Sequence, residues 1–113
     1  MNKGDKLTQN PANSADYASV SICFQDEDIN FLFSELLEVR GVKTKILADA
    51  ASLAHETKII TEPIFFPMIS PEVQKKCLIV GNKDALLGLD AICLSRPLTE
   101  EKIEAALQLL IDA

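Results

Sequence analysis

The chain has 113 residues, of which 48% are apolar and 5% aromatic, and it carries a formal net charge of −6. This length predicts one domain with one modest core. The acidic balance argues against binding to nucleic-acid phosphates or to anionic membranes. No apolar run approaches the roughly 18 residues that a membrane helix needs, and no apolar stretch typical of a secretory signal opens the chain.

The chain divides into a polar start and an apolar, patterned remainder. Residues 1–16 are rich in Asn and Ser, so we predict a flexible tail there and a folded domain over residues 17–113. Residues 17–24 alternate between apolar and small side chains, which predicts a first strand. The next segment predicts a helix that an acid caps and Gly41 ends, with a core face formed by Ile29, Leu32, Phe33 and Leu36.

Short strands alternate with helices along the remainder. Residues 42–47 carry two lysines, which predicts an edge strand, and Asp49 is placed to cap a short helix. Strands are predicted at residues 58–61, 77–80 and 91–94, with room for only short helices between them. A last helix is predicted from about Thr99 to Ile111, with its core face formed by Ile103, Ala106, Leu107 and Leu110. This order predicts an α/β fold with a parallel sheet.

The three cysteines, Cys23, Cys77 and Cys93, each fall in an apolar run without the close spacing of zinc ligands. We therefore expect three buried, reduced thiols, no metal or other cofactor, and a cytoplasmic protein. The one histidine, His55, lacks a recognisable nucleophile partner and is predicted to be a surface residue near the end of a short helix.

The last strand ends in a basic residue and a proline, Arg96-Pro97, followed at once by an amphipathic helix. This ending and the element order resemble the receiver domain of bacterial response regulators, over about residues 17–112. The resemblance implies a flavodoxin-like three-layer sandwich with a five-stranded parallel sheet of order 2-1-3-4-5, here with shortened third and fourth helices. Receivers carry an acidic pair after the first strand, a phosphoacceptor Asp after the third, Ser or Thr after the fourth and Lys-Pro after the fifth.

Two of these family positions have changed in this chain. The acidic cluster Asp26, Glu27 and Asp28 falls near the magnesium-binding pair, but counting back from the end of the helix puts Phe24 and Gln25 in those columns. The cluster then either retains weak cation binding or simply complements the helix dipole. At the phosphoacceptor position the candidate is Glu62, and no alignment supplies an Asp there.

The family positions after the fourth and fifth strands have also changed, except for the proline. Gly81 stands where the family has its hydroxyl, Arg96 replaces the Lys, and Pro97 is retained. The resemblance implies a cis Arg96–Pro97 bond, and Arg96 is expected to pair with Glu62 or with the acidic cluster. The vestigial receiver pocket is therefore predicted to comprise Asp26, Glu27, Glu62, Gly81, Arg96 and Pro97.

A non-catalytic domain acts through its surface. We expect an exposed apolar strip for a protein partner or for self-association, formed by Leu86, Leu87, Ala105 and Leu109. The leading hypothesis is a pseudo-receiver that cannot be phosphorylated and that binds proteins in bacterial signal transduction; it is not an enzyme. The alternative is a small enzyme, or a sensor of a ligand or cation, that uses the crevice at the strand ends. A third reading is an autoinhibitory or oligomerising domain of a longer chain, although Met1 and the polar tail suit a stand-alone protein.

Overall fold

The computed structural model describes residues 19–113, so the predicted tail at residues 1–16 lies outside the described part. Strands and helices alternate over that part as predicted. The strands are β1 (Val20–Cys23), β2 (Thr44–Ile46), β3 (Ile59–Thr61), β4 (Leu78–Gly81) and β5 (Ile92–Ser95). The α-helices are α1 (Glu27–Glu38), α2 (Lys83–Leu86) and α3 (Glu100–Asp112), and 3₁₀ helices span Ala50–His55, Pro63–Met68 and Gln74–Lys76.

The five strands are all parallel and lie in the order β2-β1-β3-β4-β5, which confirms the predicted flavodoxin-like sheet. The lysine-bearing strand β2 lies at one edge, as the charge pattern predicts. β5 forms the other edge. All strands therefore end at the same side of the sheet, where open α/β sheets bind their ligands.

Side chains that alternate along the strands form two cores, one on each face of the sheet. On one face, Ile22, Ile60 and Val80 pack with the buried sides of α1 and α3. On the other face, Ile59 and Ile79 pack with the 3₁₀ segments and α2. The fold is thus a three-layer sandwich whose second face is covered mostly by short 3₁₀ turns.

The buried face of α1 agrees with the predicted one in part. Phe33 is buried, and Ile29 and Leu36 pack half-buried against the same core. Leu32 is 37% exposed, however, and the other buried positions are Asn30 and Leu37. Asn30 can replace an apolar residue there because its amide makes hydrogen bonds to the backbone of Phe24. Apolar periodicity cannot reveal a buried polar residue of this kind.

The prediction of three buried thiols is wrong for one cysteine. Cys23 and Cys77 are buried, whereas Cys93 on β5 is exposed. Helix α2, which precedes β5, has only four residues and therefore leaves part of this edge strand uncovered.

His55 is exposed at the end of the first 3₁₀ helix, as predicted. None of the helices within residues 19–113 has the length and apolar character needed to cross a bilayer.

Candidate functional site

The predicted pocket lies where β1, β3, β4 and β5 end. Glu62 follows β3 directly, Gly81 is the last residue of β4, and Arg96 follows β5. Neighbouring parallel strands bring these three positions to the same edge of the sheet. The backbone N–H of Arg96 donates to the carbonyl of Gly81 at 3.0 Å, which joins the ends of β4 and β5.

Phe24 and Gln25 follow β1, at the positions that counting back from Gly41 aligns with the acidic pair of receivers. Phe24 is buried, and its ring stacks on Phe33 with the ring centroids 5.6 Å apart. The amide of Asn30 accepts from the N–H of Phe24 at 2.8 Å and donates to its carbonyl at 3.1 Å. An ionised carboxylate in place of this ring would lie in an apolar core, so the end of β1 is built for an apolar side chain.

The acidic cluster Asp26, Glu27 and Asp28 lies at the start of α1 and is exposed. Asp26 is the N-cap, because its Oδ1 accepts from the N–H of Asp28 at 2.9 Å. Glu27 and Asp28 lie in the first turn, where negative charge complements the helix dipole. Within residues 19–113 no group of three or more His, Cys, Asp or Glu side chains is arranged to hold a metal ion.

The carboxylate of Glu62 is occupied by hydrogen bonds from Gln25. The backbone N–H of Gln25 donates to Oε2 of Glu62 at 2.6 Å, and Gln25 Nε2 lies 3.4 Å from Oε1. Both donors approach from the end of β1, the side from which the resemblance would bring a magnesium ion. The Gln25 amides thus provide a neutral hydrogen-bonding partner for this carboxylate.

Gly81 is in tight contact with the ring of Pro63, the residue that follows Glu62. A Cβ atom at position 81 would lie 2.8 Å from Cγ and 2.9 Å from Cδ of Pro63. Distances below 3.0 Å are steric overlaps, and a proline ring cannot rotate away as a flexible side chain can. A Ser or Thr side chain at position 81 would therefore overlap the ring of Pro63.

Arg96 and Pro97 follow β5, and their peptide bond is cis, as the resemblance implies. The predicted ion pair from Arg96 to Glu62 or to the acidic cluster is wrong. Arg96 is exposed, and the ion pairs found within residues 19–113 are Arg40–Glu104, Lys45–Glu56 and Lys75–Asp90. The Glu62 carboxylate is instead hydrogen-bonded by Gln25.

The predicted partner strip is partly formed. Leu87 is 71% exposed, Leu109 is 59% exposed and Ala105 is exposed, whereas Leu86 is only 7% exposed and packs in the second core. Two shallow depressions of about 300 and 210 Å³ flank β5, and both are lined by Cys93 and Ser95. We call the exposed set Leu87, Cys93, Ala105 and Leu109 the β5 surface.

Cys23 lies at the end of β1, close to the pocket. Burial raises the pKa of its thiol, and the negative charges of Glu62 and Asp49 raise it further. Burial also raises the pKa of the Cys77 thiol, to about 11, and that of Cys93. At neutral pH all three are thiols rather than nucleophilic thiolates, which argues against cysteine chemistry at this edge.

The fold defined by this sheet and these connections is that of a receiver domain. A solved structure described as the crystal structure of FixJ-N superimposes with a TM-score of 0.64, covering 83% of this chain and 93% of that one. The two sequences are 12% identical, so the likeness establishes the fold alone. A scan against protein-family models found no match, and a search of curated proteins found no significant one.

Two residues that shape the pocket were not among the predicted site residues. Gln25 holds Glu62, and Pro63 fills the space beside Gly81. The available signal was that a glycine ends an apolar run while a proline directly follows Glu62, the candidate for the phosphoacceptor position. The contact between Gly81 and Pro63 depends on how β3 and β4 are aligned in the sheet, and the periodicity of the sequence does not specify that alignment.

Proposed function

We propose that this domain is a pseudo-receiver: it keeps the receiver fold, it does not form an aspartyl phosphate, and it acts by binding another protein through its surface. The proposal includes a cytoplasmic role in bacterial signalling and no catalysis of its own. The observation that carries it is the contact between Gly81 and Pro63. That contact removes the place of the hydroxyl with which receivers sense their phosphoryl group.

The chemistry of phosphoryl transfer supports the same conclusion. A receiver needs an Asp carboxylate beside a divalent cation that neutralises the incoming phosphoryl oxygens. Here the corresponding carboxylate belongs to Glu62, which is one methylene longer and accepts from the Gln25 amide at 2.6 Å. Phe24, buried against Phe33, takes a column in which the family places a cation ligand.

The β5 surface supports the binding part of the proposal. Its two leucines, Leu87 and Leu109, are more than half exposed and lie on either side of an edge strand. Exposed leucines beside two shallow depressions are typical of a protein contact rather than of an enclosed ligand site. The partner is a protein, and a second copy of this chain is one candidate.

A magnesium titration of the labelled protein, followed by NMR, tests the loss of the cation site. We expect no saturable shifts at Gln25, Asp26 and Glu62, because the carboxylates there serve as a helix cap and as a hydrogen-bond acceptor. Saturable shifts confined to these residues would contradict the proposal and favour a cation sensor.

Affinity capture from the native host, followed by mass spectrometry, tests the binding role. The wild-type protein is compared with a Leu87→Asp/Leu109→Asp double variant. A Lys43→Glu variant, changed just before β2 at the opposite edge of the sheet, is the control. We expect proteins that wild type and the control retain and that the double variant loses. If the double variant retains the same proteins, this surface is not the binding site.

A further inference from the structure

A second cleft lies toward the other edge of the sheet, between α1 and the end of β2, and it shares Phe24, Gln25 and Glu27 with the strand-end pocket described above. Its volume is about 550 Å³, within the range of sites that bind small molecules or peptide side chains. We call it the α1–β2 cleft; it is lined mainly by Cys23, Asn30, Phe31, Ile46, Ala48 and Phe65. It is distant from the β5 surface, because β2 and β5 are opposite edges of the sheet.

Large apolar side chains border this cleft and remain in contact with solvent. Phe31 on α1 is 58% exposed, and Ile46 on β2 is 39% exposed. Phe65, from the 3₁₀ helix Pro63–Met68, is half-buried against the second core. A single exposed apolar residue is ordinary, but an aromatic ring and an isoleucine that share one concave site form an apolar patch suited to binding.

The amide of Asn30, a buried polar group inside the cleft, is already paired. Asn30 is 5% exposed, and its amide is bonded to both the N–H and the carbonyl of Phe24. The oxygen and the nitrogen of this amide are therefore both engaged and offer little to a polar ligand, whereas an apolar side chain would displace water from Phe31 and Ile46.

Carboxylates surround the opening. Glu27 lines the cleft, Asp49 lies between the lining residues Ala48 and Ala50, and no lining residue is basic. Within α1 there are four acidic residues and no basic one, over the sequence EDINFLFSELLE. Burial raises the pKa of the Cys23 thiol, which lines the cleft, and the negative charges of Glu62 and Asp49 raise it further.

We propose that the α1–β2 cleft is a docking site for a basic amphipathic segment of a partner protein. Apolar side chains of that segment enter between Phe31, Ile46 and Phe65, and its lysines or arginines face Glu27 and Asp49. The charge complementarity selects this occupant over an acidic peptide, and the open, apolar interior selects it over a polar metabolite. The site shares no residue with the β5 surface.

NMR titration of the labelled full chain with three short designed peptides tests this site. The first has leucine and lysine at helical spacing, the second replaces lysine by glutamate, and the third replaces leucine by serine. We expect saturable shifts with the leucine–lysine peptide alone, centred on Phe31, Ile46 and Ala48. Its affinity should fall as salt is added.

Three variants locate the contact. Phe31→Ser removes an exposed ring and Glu27→Lys reverses a charge at the opening, so each should weaken binding about tenfold without unfolding the domain. Leu109→Ser on the β5 surface is the matched control and should bind as wild type does. Equal binding of the glutamate or serine peptide, shifts centred elsewhere, or unchanged affinity in both cleft variants would overturn the proposal.

Two other occupants give different results in the same experiment. If a second copy fills the cleft, its resonances shift with protein concentration before any peptide is added. If the chain's own residues 1–18 fill it, the peptide displaces them and shifts their resonances as well. Either result would contradict a partner segment as the occupant, and neither would bear on the proposed loss of phosphorylation.

Discussion

At the scale of single residues, the end of β4 shows how one substitution depends on another. Gly81 has no positive φ to explain it, so the glycine is required by space rather than by backbone conformation. The ring of Pro63 occupies the volume that any Cβ at position 81 would need. The two residues therefore form a matched pair, and the effect of changing one depends on the other.

We expect Gly81→Ala to lower the free energy of unfolding by about 2 kcal/mol, because the new methyl group overlaps the Pro63 ring. Pro63→Ala alone should have a smaller effect, and the double variant should recover more than half of the loss. Urea unfolding of the four proteins in a double-mutant cycle measures this coupling. Simple additivity of the two changes would contradict the contact.

A second pair of interacting residues is Ser21 on β1 and Glu56, which follows the first 3₁₀ helix. Ser21 is buried, and its hydroxyl donates to Oε1 of Glu56 at 2.6 Å, while Lys45 Nζ lies 3.1 Å from Oε2. Burial opposes the ionised form of Glu56, but the hydrogen bonds from Ser21 and Lys45 and the charges of Lys45 and His55 outweigh it. The pKa of Glu56 is therefore below its ordinary value.

The lowered pKa of Glu56 specifies a pH dependence. Its contribution to stability is present above the pKa of the unfolded state, about 4.3, and is lost as pH falls through the lower folded pKa. We expect Ser21→Ala to cost about 1–2 kcal/mol at neutral pH and progressively less in acid. Urea unfolding of both proteins from neutral pH down to about 2 checks this. A constant difference across that range would show that the hydrogen bond does not depend on ionised Glu56.

Residue-scale features were predictable where they depend on near neighbours. The caps at Asp49 and Thr99 and the left-handed Gly41 are all present, because each acts within a few residues of itself. The contact of Gly81 with Pro63 and the bond from Gln25 to Glu62 join residues far apart in the chain. Such contacts depend on how neighbouring strands align, so the sequence alone did not indicate them.

At the scale of elements, the shortened helices determine what the surface offers. α2 has four residues and is followed by Gly88 at φ +81°, so the chain returns to β5 almost at once. Cys93 and the two depressions beside β5 are exposed as a consequence. The short length of this connection was predictable from the spacing of the apolar runs, but the exposure of Cys93 was not, because an apolar run resembles a buried strand.

The C-terminal end of α3 is held by a lysine from the start of β3. Lys58 Nζ donates to the carbonyls of Leu110 and Ile111 at 2.9 Å and of Ala113 at 3.1 Å. Helix α3 has no basic residue in its last turn, so Lys58 supplies the positive charge that its dipole favours. The lysine thereby ties the last helix to the centre of the sheet.

We expect Lys58→Met to lower the free energy of unfolding by about 1–2 kcal/mol, since carbonyls at the end of α3 lose their donor while the aliphatic stem is kept. Hydrogen exchange should also speed up in the last turn of α3. The matched control is Lys43→Met, at an exposed lysine that directly precedes the edge strand β2. Equal effects of the two changes would show that the bonds to α3 contribute nothing.

At the scale of the whole molecule, the order of apolar runs was sufficient to predict an α/β fold with a parallel sheet. The strand order β2-β1-β3-β4-β5 did not follow from the runs; it was implied by the resemblance to receiver domains, and the structure confirms it. The two edges of the sheet then present different surfaces, with exposed leucines beside β5 and an acid-rimmed apolar cleft beside β2. We propose that both edges bind proteins and that the strand ends carry out no phosphoryl chemistry.

Incubation of the full chain with acetyl phosphate and magnesium, followed by intact-mass measurement, tests that account most directly. Glu62 is held by Gln25, and Pro63 fills the space beside Gly81. We therefore predict that the protein's mass is unchanged while an active receiver in the same tube is phosphorylated. Stoichiometric addition of one phosphoryl group to this chain would contradict the account.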